Sequence, residues 1–202
     1  MSKIFKILFF LSSFYFSVKS YFSQDLALYG LNDISIYHNL KEALKHKEDV
    51  EGLVLKKGKL KEIPMDKLVL FPNLQYLDLS KNKIDSIPKS IDKLDRLVVL
   101  DLSVNKIVRP PEELYNLTQL QCLKLGRNRI DYVSFNIQNL QELIYLDLWS
   151  NEFIHLPEEI KNLKELRKMD VRMVSISDKE QAQVKKWLPE TNILFSNTCD
   201  CD

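Results

Sequence analysis

The chain is poor in the residues that build most catalytic and cofactor sites. Its 202 residues include only four glycines, three cysteines and three histidines. No two glycines have the spacing of a phosphate-binding loop, which argues against a nucleotide site of that kind. Basic residues number 29 against 28 acidic ones, and the sequence contains no dense basic block. We therefore expect no nucleic-acid partner, because such partners need a concentrated positive surface.

The first 23 residues differ from the rest of the chain. Two lysines precede the apolar run 7–18, a third lysine follows it, and serines come next. A basic start, a short apolar core and small residues after it are typical of a secretory signal peptide. The run is too short to span a membrane, which needs about 20 residues, so we expect no stable span in the mature chain. We predict that residues 1–23 are a signal peptide cleaved after Ser20 or Ser23; the alternative is a buried N-terminal helix.

The sequence from about residue 50 onward repeats with a period of 23 residues. When each unit is numbered from its first leucine, apolar residues recur at positions 1, 4, 6 and 11, and asparagine recurs at position 9. The first leucines are Leu74, Leu97, Leu120, Leu143 and Leu166, and the asparagines are Asn82, Asn105, Asn128 and Asn151. Apolar positions 4 and 6 alternate with mostly polar neighbours, which predicts a strand with one buried face. One such strand cannot bury that face alone, so the units are expected to stack into a parallel sheet.

The residues after each strand predict how the chain turns and returns. A buried amide at position 9 can donate to and accept from backbone groups that the turn leaves unpaired. Pro111 and Pro157, each followed by two glutamates, predict the first turn of a helix with proline at its first position. Ser134 replaces this proline in one unit, and Pro110 stands in an isoleucine column of another. We expect loose return arcs in those two units.

The pattern LxxLxLxxNxIxxIPxxIxxLxx resembles the leucine-rich repeat, of the Ras-suppressor-like 23-residue kind. The resemblance covers residues 50–176 and implies an α/β leucine-rich-repeat solenoid. In that fold a curved parallel sheet lies on the concave side and short helices or loops lie on the convex side. The chain is similar to exported leucine-rich-repeat proteins of Gram-negative bacteria, in which a short helix and a tail close the stack.

Residues outside the repeats are expected to cap the two ends of the solenoid. Asn39 and Ser177 each begin a capping box, which predicts a short helix in both caps. We also expect a last strand at 193–195. The chain therefore divides into four predicted segments, which are the signal peptide 1–23, the N-terminal cap 24–49, the repeats 50–176, and the C-terminal cap helix and tail 177–202.

Strand residues that do not enter the core are expected to point into the concave face and to form a protein-binding surface. This predicted surface consists of Tyr76, Asp78, Asp101, Lys124, Tyr145, Asp147, Trp149, Lys168 and Arg172. Tyr145, Trp149 and Arg172 lie on adjacent repeats and are of the residue types that dominate binding hot spots. The alternative is that Trp149 covers its neighbour without a ligand. The flat face offers only roughly 300 Å², below the ~800 Å² of a standard partner, so a tight partner must also touch loops or flanks.

Catalysis is not expected, although an aspartate column runs across the same face at position 5. A flat, open and wet face offers no pocket that shifts the pKa values of Asp78 and Asp101. The histidines fall in the cap and in a loop, so we predict no enzyme activity, no cofactor and no metal site. The state of the cysteines stays open. Cys199 and Cys201 supply only two of the four ligands of structural zinc, and a disordered end is favoured; Cys122 is placed on the concave face.

The sequence thus predicts an exported, monomeric protein-binding module with a protein or peptide ligand. Its expected location is outside the cell, in the periplasm or at the cell envelope. Two alternatives remain: a secreted effector that recognises a host protein, and a surface or adhesion component that associates with itself through an open end of the solenoid.

Overall fold

A computed structural model describes residues 26–196 of the chain. The chain divides into two units, residues 1–34 and residues 35–202. The described part of the first unit forms turns in which the backbone carbonyl of Leu26 accepts from the amides of Tyr29 and Leu31. The predicted signal peptide 1–23 and the two tail cysteines lie outside the described residues. None of the helices that are described is long and apolar enough to cross a membrane.

The second unit is built on a parallel sheet of eight strands in which each strand pairs with the next one in sequence. The strands are β1 Ile36–Tyr37, β2 Gly52–Val54, β3 Tyr76–Asp78, β4 Val99–Asp101, β5 Cys122–Lys124, β6 Tyr145–Asp147, β7 Lys168–Asp170 and β8 Asn192–Leu194. Equivalent repeat positions are opposite each other, so Leu100 of β4 pairs with Leu77 of β3 and Leu123 of β5. These three leucines are fully buried. The predicted leucine-rich-repeat solenoid is confirmed.

Short helices connect the strands. The α-helices are α1 Leu40–Ala43, α2 Met65–Leu68 and α3 Asp178–Trp187, and the 3₁₀ helices are Lys47–Asp49, Lys89–Lys93, Glu112–Asn116, Phe135–Asn139 and Glu158–Asn162. The prolines were expected inside the first helical turn, and this is wrong. Pro111 and Pro157 lie at the N-cap in extended conformation, with ψ angles of 157° and 145°.

The expected loose arcs are also wrong. The two units in question carry 3₁₀ helices of the same five-residue length as their neighbours. In one of them Ser134 takes over the role of the missing proline. Its hydroxyl accepts from the amide of Asn136 at 3.1 Å and donates to Glu112 Oε2 at 2.7 Å. The side chain thereby fixes the start of the helix, which a proline elsewhere does through its ring.

A helix begins at each of the two predicted capping boxes. Asn39 Oδ1 accepts from the amides of Lys41 and Glu42 at 2.8 and 3.3 Å and begins α1. Ser177 Oγ accepts from the amide of Glu180 at 3.3 Å and begins α3. Val184 of α3 is fully buried in the core cluster, and β8 adds the last strand one residue earlier than predicted. The side chains at both N-caps therefore stabilise the first turns of helices that cover the ends of the leucine core.

The asparagine column holds the turns together as expected. Asn128 Nδ2 donates to the carbonyls of Leu102 and Leu125 at 3.0 and 2.9 Å. Its Oδ1 accepts from the amide of Ile107 at 3.0 Å. The Asn128 side chain therefore joins its own turn to the turn of the preceding repeat, and it supplies the acceptor for a backbone amide that would otherwise be buried without a partner.

The residue at position 8 of each repeat has a left-handed backbone. The φ angles at this position lie between 54° and 62° at Lys57, Lys81, Val104, Arg127, Ser150 and Met173, of which all but Lys57 and Met173 precede an asparagine. This conformation places Cβ close to the following carbonyl, and it is least compatible with a β-branched side chain. Val104 is therefore the most strained member of the column.

Val104→Asn is expected to raise the free energy of unfolding by roughly 0.5–1 kcal/mol, because asparagine tolerates the left-handed region far better than valine. Chemical denaturation of both proteins measures the change. Arg127→Asn is the control: it has nearly the same φ, at 55° against 58°, but no branch at Cβ, so its gain should be smaller. A destabilised Val104→Asn protein would show that packing of the half-buried valine outweighs the backbone strain.

Candidate functional site

Side chains at positions 3, 5 and 7 of the repeats lie outside the leucine core and form what we call the sheet face. The face is covered at its N-terminal part: Tyr76 is 5 % exposed and Asp78 is 3 % exposed. It opens at its C-terminal part, where Tyr145 and Trp149 are half-buried and Arg172 is exposed. The predicted exposure of Tyr76 and Asp78 is therefore wrong. Neighbouring strands lie only about 4.8 Å apart, so side chains of adjacent repeats cover one another on this face.

The aspartates at position 5 have a structural role that the sequence interpretation missed. Each accepts, through Oδ1, a hydrogen bond from the backbone amide two residues later, and the distances are 2.9 Å at Ser80, 2.9 Å at Ser103, 2.9 Å at Trp149 and 3.2 Å at Arg172. The amides at positions 6 and 8 instead donate to the next strand. A hydrogen bond from an aspartate side chain to the backbone amide two residues later is that of an Asx turn. An aspartate at the end of each strand is therefore the sequence signal that could have indicated this role.

The expectation of an open, wet carboxylate column is also wrong. Burial raises the pKa values of Asp101 and Asp147, although hydrogen bonds from Ser103 and Trp149 act in the opposite direction. Lys124, half-buried on β5, is paired in register with both of these aspartates. The fully buried members at the two ends form ion pairs, Asp78 with Lys56 at 3.5 Å and Asp170 with Arg172 at 2.6 Å. The aspartates of the face are thus hydrogen-bonded or ion-paired within the protein, while their basic partners Lys56 and Arg172 are exposed to solvent.

Asp147→Asn is expected to make stability less dependent on pH. Because the folded-state pKa is raised above the ordinary 3.8, the folded protein binds more protons than the unfolded chain above that pH, and stability falls as pH rises through this window. Asparagine keeps an oxygen that accepts from Trp149 N but does not titrate. Denaturation midpoints measured from pH 4 upward should therefore decline less in the variant. An unchanged slope would mean that Asp147 titrates normally.

Cations lie on aromatic rings at the C-terminal part of the face. The guanidinium of Arg127 is 5.5 Å from the ring centroid of Trp149, and the ammonium of Lys168 is 5.3 Å from that of Tyr145. Burial, followed by the charge of Asp147, raises the pKa of the Tyr145 hydroxyl, which stays protonated and able to donate. The structure therefore brings Tyr145, Trp149 and Arg172 together with Lys168, and it places Tyr76, Asp78 and Asp101 on more distant strands.

A shallow cleft of about 520 Å³, largely open to solvent, lies beside this group. It is lined by Trp149, Arg172, Met173, Phe195 and Ser196. Met173 is 65 % exposed, which is unusual for a large apolar side chain. We call these five residues the aromatic cleft. Met173, at position 8, and Phe195, in the terminal cap, were not predicted as site residues. Within residues 26–196, no cluster of three or more metal-ligating side chains occurs.

Comparisons with known proteins agree with the fold. A family model described as "Leucine-rich repeat region" matches residues 49–191. Among solved structures, an internalin of Listeria monocytogenes is 22% identical with a TM-score of 0.67, covering 79% of this chain and 45% of its own. A leucine-rich-repeat protein of Leptospira interrogans is 24% identical with a TM-score of 0.57, covering 80% of this chain and 58% of its own.

A third similar structure is the plant peptide hormone receptor RGFR1 in complex with RGF2. It is 29% identical with a TM-score of 0.62, and the match covers 82% of this chain and 27% of the receptor. The chain thus spans between about a quarter and three fifths of the length of these proteins. No curated protein sequence matches it.

Proposed function

The chain belongs to the leucine-rich-repeat family, whose members generally serve as scaffolds for protein interaction, and we propose that it is an exported module that binds a protein or peptide through the aromatic cleft and the adjoining sheet face. The single observation that carries the proposal is the cleft itself. It brings Trp149 and Arg172 together with the exposed Met173.

The chemistry of this region suits a peptide with apolar and hydrogen-bonding groups. Tryptophan, tyrosine and arginine supply most of the energy at protein interfaces, and methionine adapts its shape to different partners. Tyr145 lies on a strand that is hydrogen-bonded on both sides, and Trp149 lies two residues past the end of the same strand. Binding therefore costs little ordering of the protein. RGFR1, the plant receptor with the same fold, is a peptide hormone receptor solved in a complex.

The size of the sheet face limits the binding mode. A flat patch of strand residues is smaller than a standard interface, and its N-terminal part is covered by its own side chains. The ligand must then reach past β7 to Met173 and Phe195 at the end of the sheet. We propose a ligand that enters the cleft with an apolar side chain and lies along the C-terminal strands.

A peptide display screen tests the proposal. A random peptide library is panned on the purified protein, and each selected peptide is then assayed on the wild type and on Met173→Ser. Peptides that bind the wild type and lose affinity for Met173→Ser support binding in the cleft, and Val108→Ser, which alters an exposed apolar residue away from the cleft, is the matched control. Failure to select any peptide, or peptides that are equally sensitive to both variants, would contradict the proposal.

Export belongs to the same proposal and has its own test. The basic, apolar and small-residue regions of 1–23 predict cleavage after Ser20 or Ser23. N-terminal sequencing of the exported protein should therefore begin at Tyr21 or Gln24. Fractionation should recover the protein outside the cell, in the periplasm or at the cell envelope, and sedimentation of that material should show a monomer. Exported protein that begins at Met1 would show that the leader is retained.

A further inference from the structure

The turns after the strands carry basic residues in two columns. Position 8, before the asparagine, and position 10, after it, are both exposed where they carry a basic residue. These residues are Lys57, Lys81 and Arg127 at position 8 and Lys59, Lys83, Lys106 and Arg129 at position 10. We call them the basic strip. It follows the carboxyl ends of β2 to β5 and stops where Glu152 takes position 10.

Backbone hydrogen bonds hold the strip in register. The ladder of the sheet continues past the strands: Lys81 N donates to the carbonyl of Ser103 at 2.9 Å, and at position 10 Lys106 N donates to Ile84 at 2.7 Å and Arg129 N to Ile107 at 2.9 Å. Residues of one column therefore follow each other at about the strand spacing of 4.8 Å. The spacing is imposed by the scaffold and does not depend on the side chains.

The cations of the strip are not neutralised by neighbouring acids. Within the described residues, no carboxylate oxygen lies within 4.0 Å of a charged nitrogen of the strip, whereas Lys56 and Arg172 on the sheet face do form such pairs. The strip holds seven positive charges on a chain of formal net charge +1, so all other residues together sum to −6. Like charges at this spacing repel each other, and a bound anion relieves the repulsion.

We infer that the basic strip binds a linear anionic polysaccharide, whose sulfate or carboxylate groups follow the cations from repeat to repeat. Patches of basic residues bind heparin-like polymers as well as nucleic acid. Single-stranded nucleic acid is disfavoured because it needs aromatic side chains on which bases stack, and no member of the strip is aromatic. A duplex is disfavoured because the strip presents turns, and no helix or strand pair that would enter a groove.

The sequence alone hides this surface. Its members come from short segments one repeat apart, and no segment is dense enough to suggest a polyanion site by itself. The 23-residue period brings them side by side only when the units stack. The strip also differs from the aromatic cleft, since it lies on earlier repeats and contains none of the cleft residues.

Binding of a size-defined heparin oligosaccharide to the full protein tests the inference. The triple variant Lys83→Gln, Lys106→Gln and Arg129→Gln should bind heparin at least about tenfold more weakly, and wild-type binding should weaken steeply with added salt. The matched control is Lys93→Gln, Lys179→Gln and Lys186→Gln, which removes three exposed lysines outside the strip. It should bind like the wild type. Arg127 is left intact because it stacks on Trp149.

Two further probes identify the anion. An oligogalacturonate of similar length separates carboxylated from sulfated glycans, and strip-dependent binding of either one supports the inference. Oligo(dT) that binds as tightly as heparin through the strip would overturn it in favour of nucleic acid. The inference would also be overturned if neither glycan binds, or if the control triple variant loses as much affinity as the triple variant of the basic strip. None of these results bears on peptide binding in the aromatic cleft.

Discussion

Asn128→Ala is expected to lower the free energy of unfolding by about 1–3 kcal/mol, because it leaves the buried backbone amide of Ile107 without an acceptor. The carbonyls of Leu102 and Leu125 each lose one of two asparagine donors and keep Asn105 and Asn151, respectively. Asn128 is 8 % exposed, so water cannot readily replace the amide. Urea denaturation followed by circular dichroism measures the change.

The matched control for this prediction is Asn139→Ala. Asn139 is an exposed residue at the end of the 3₁₀ helix Phe135–Asn139, and no side-chain hydrogen bond is found for it. Its loss should change stability by no more than about 0.5 kcal/mol. If both variants lose the same small amount, the asparagine column does not hold adjacent turns together and the proposed energetic role of position 9 is wrong.

Trp149→Ala is expected to weaken binding of a cleft-selected peptide by about 2 kcal/mol or more, roughly thirtyfold in Kd. The variant removes the indole ring that lines the cleft and that contacts the guanidinium of Arg127. Folding should survive, because Trp149 lies outside the leucine core and its hydrogen bonds, from its amide to Asp147 and from Arg127 N to its carbonyl, are made by the backbone. Isothermal titration gives the affinity, and thermal melts verify folding.

Phe135→Ala is the control for the tryptophan variant. Phe135 is 51 % exposed and begins a 3₁₀ helix on the return arc. The Phe135→Ala variant removes an aromatic ring from another part of the protein and should leave peptide affinity nearly unchanged. Equal losses in both variants would move the binding site away from the sheet face, although the repeat scaffold would be unaffected.

The strands, the turns and the caps were predictable because single residues determine them. Alternating leucines specify one buried face, Asn128 and its equivalents specify the turn, and Asn39 and Ser177 specify helix starts. The left-handed backbone at Val104 was not predictable, since the side chain there argues against it. It is imposed by the hydrogen bonds of the adjoining repeats, from Val104 N to Gly126 and from Asn105 to Leu79 and Leu102.

The site was only partly predictable because its properties arise between repeats. Tyr145, Trp149 and Arg172 could be placed on one face by counting positions. The burial of Asp78 could not, since it depends on Lys56 from the preceding repeat and on the close spacing of strands. The aromatic cleft also needs Phe195, which follows β8 and lies outside the periodic columns. Periodicity therefore gives the direction of a side chain but not what covers it.

Contact between a ligand and Trp149 can be measured through the fluorescence of that tryptophan. The chain has two tryptophans, and Trp187→Phe leaves Trp149 as the only one, which can be excited selectively over the tyrosines. Titration of this variant with a selected peptide should shift and saturate the Trp149 emission at the concentrations at which calorimetry shows binding. A peptide that binds by calorimetry while the emission of Trp149 stays constant would contradict the account.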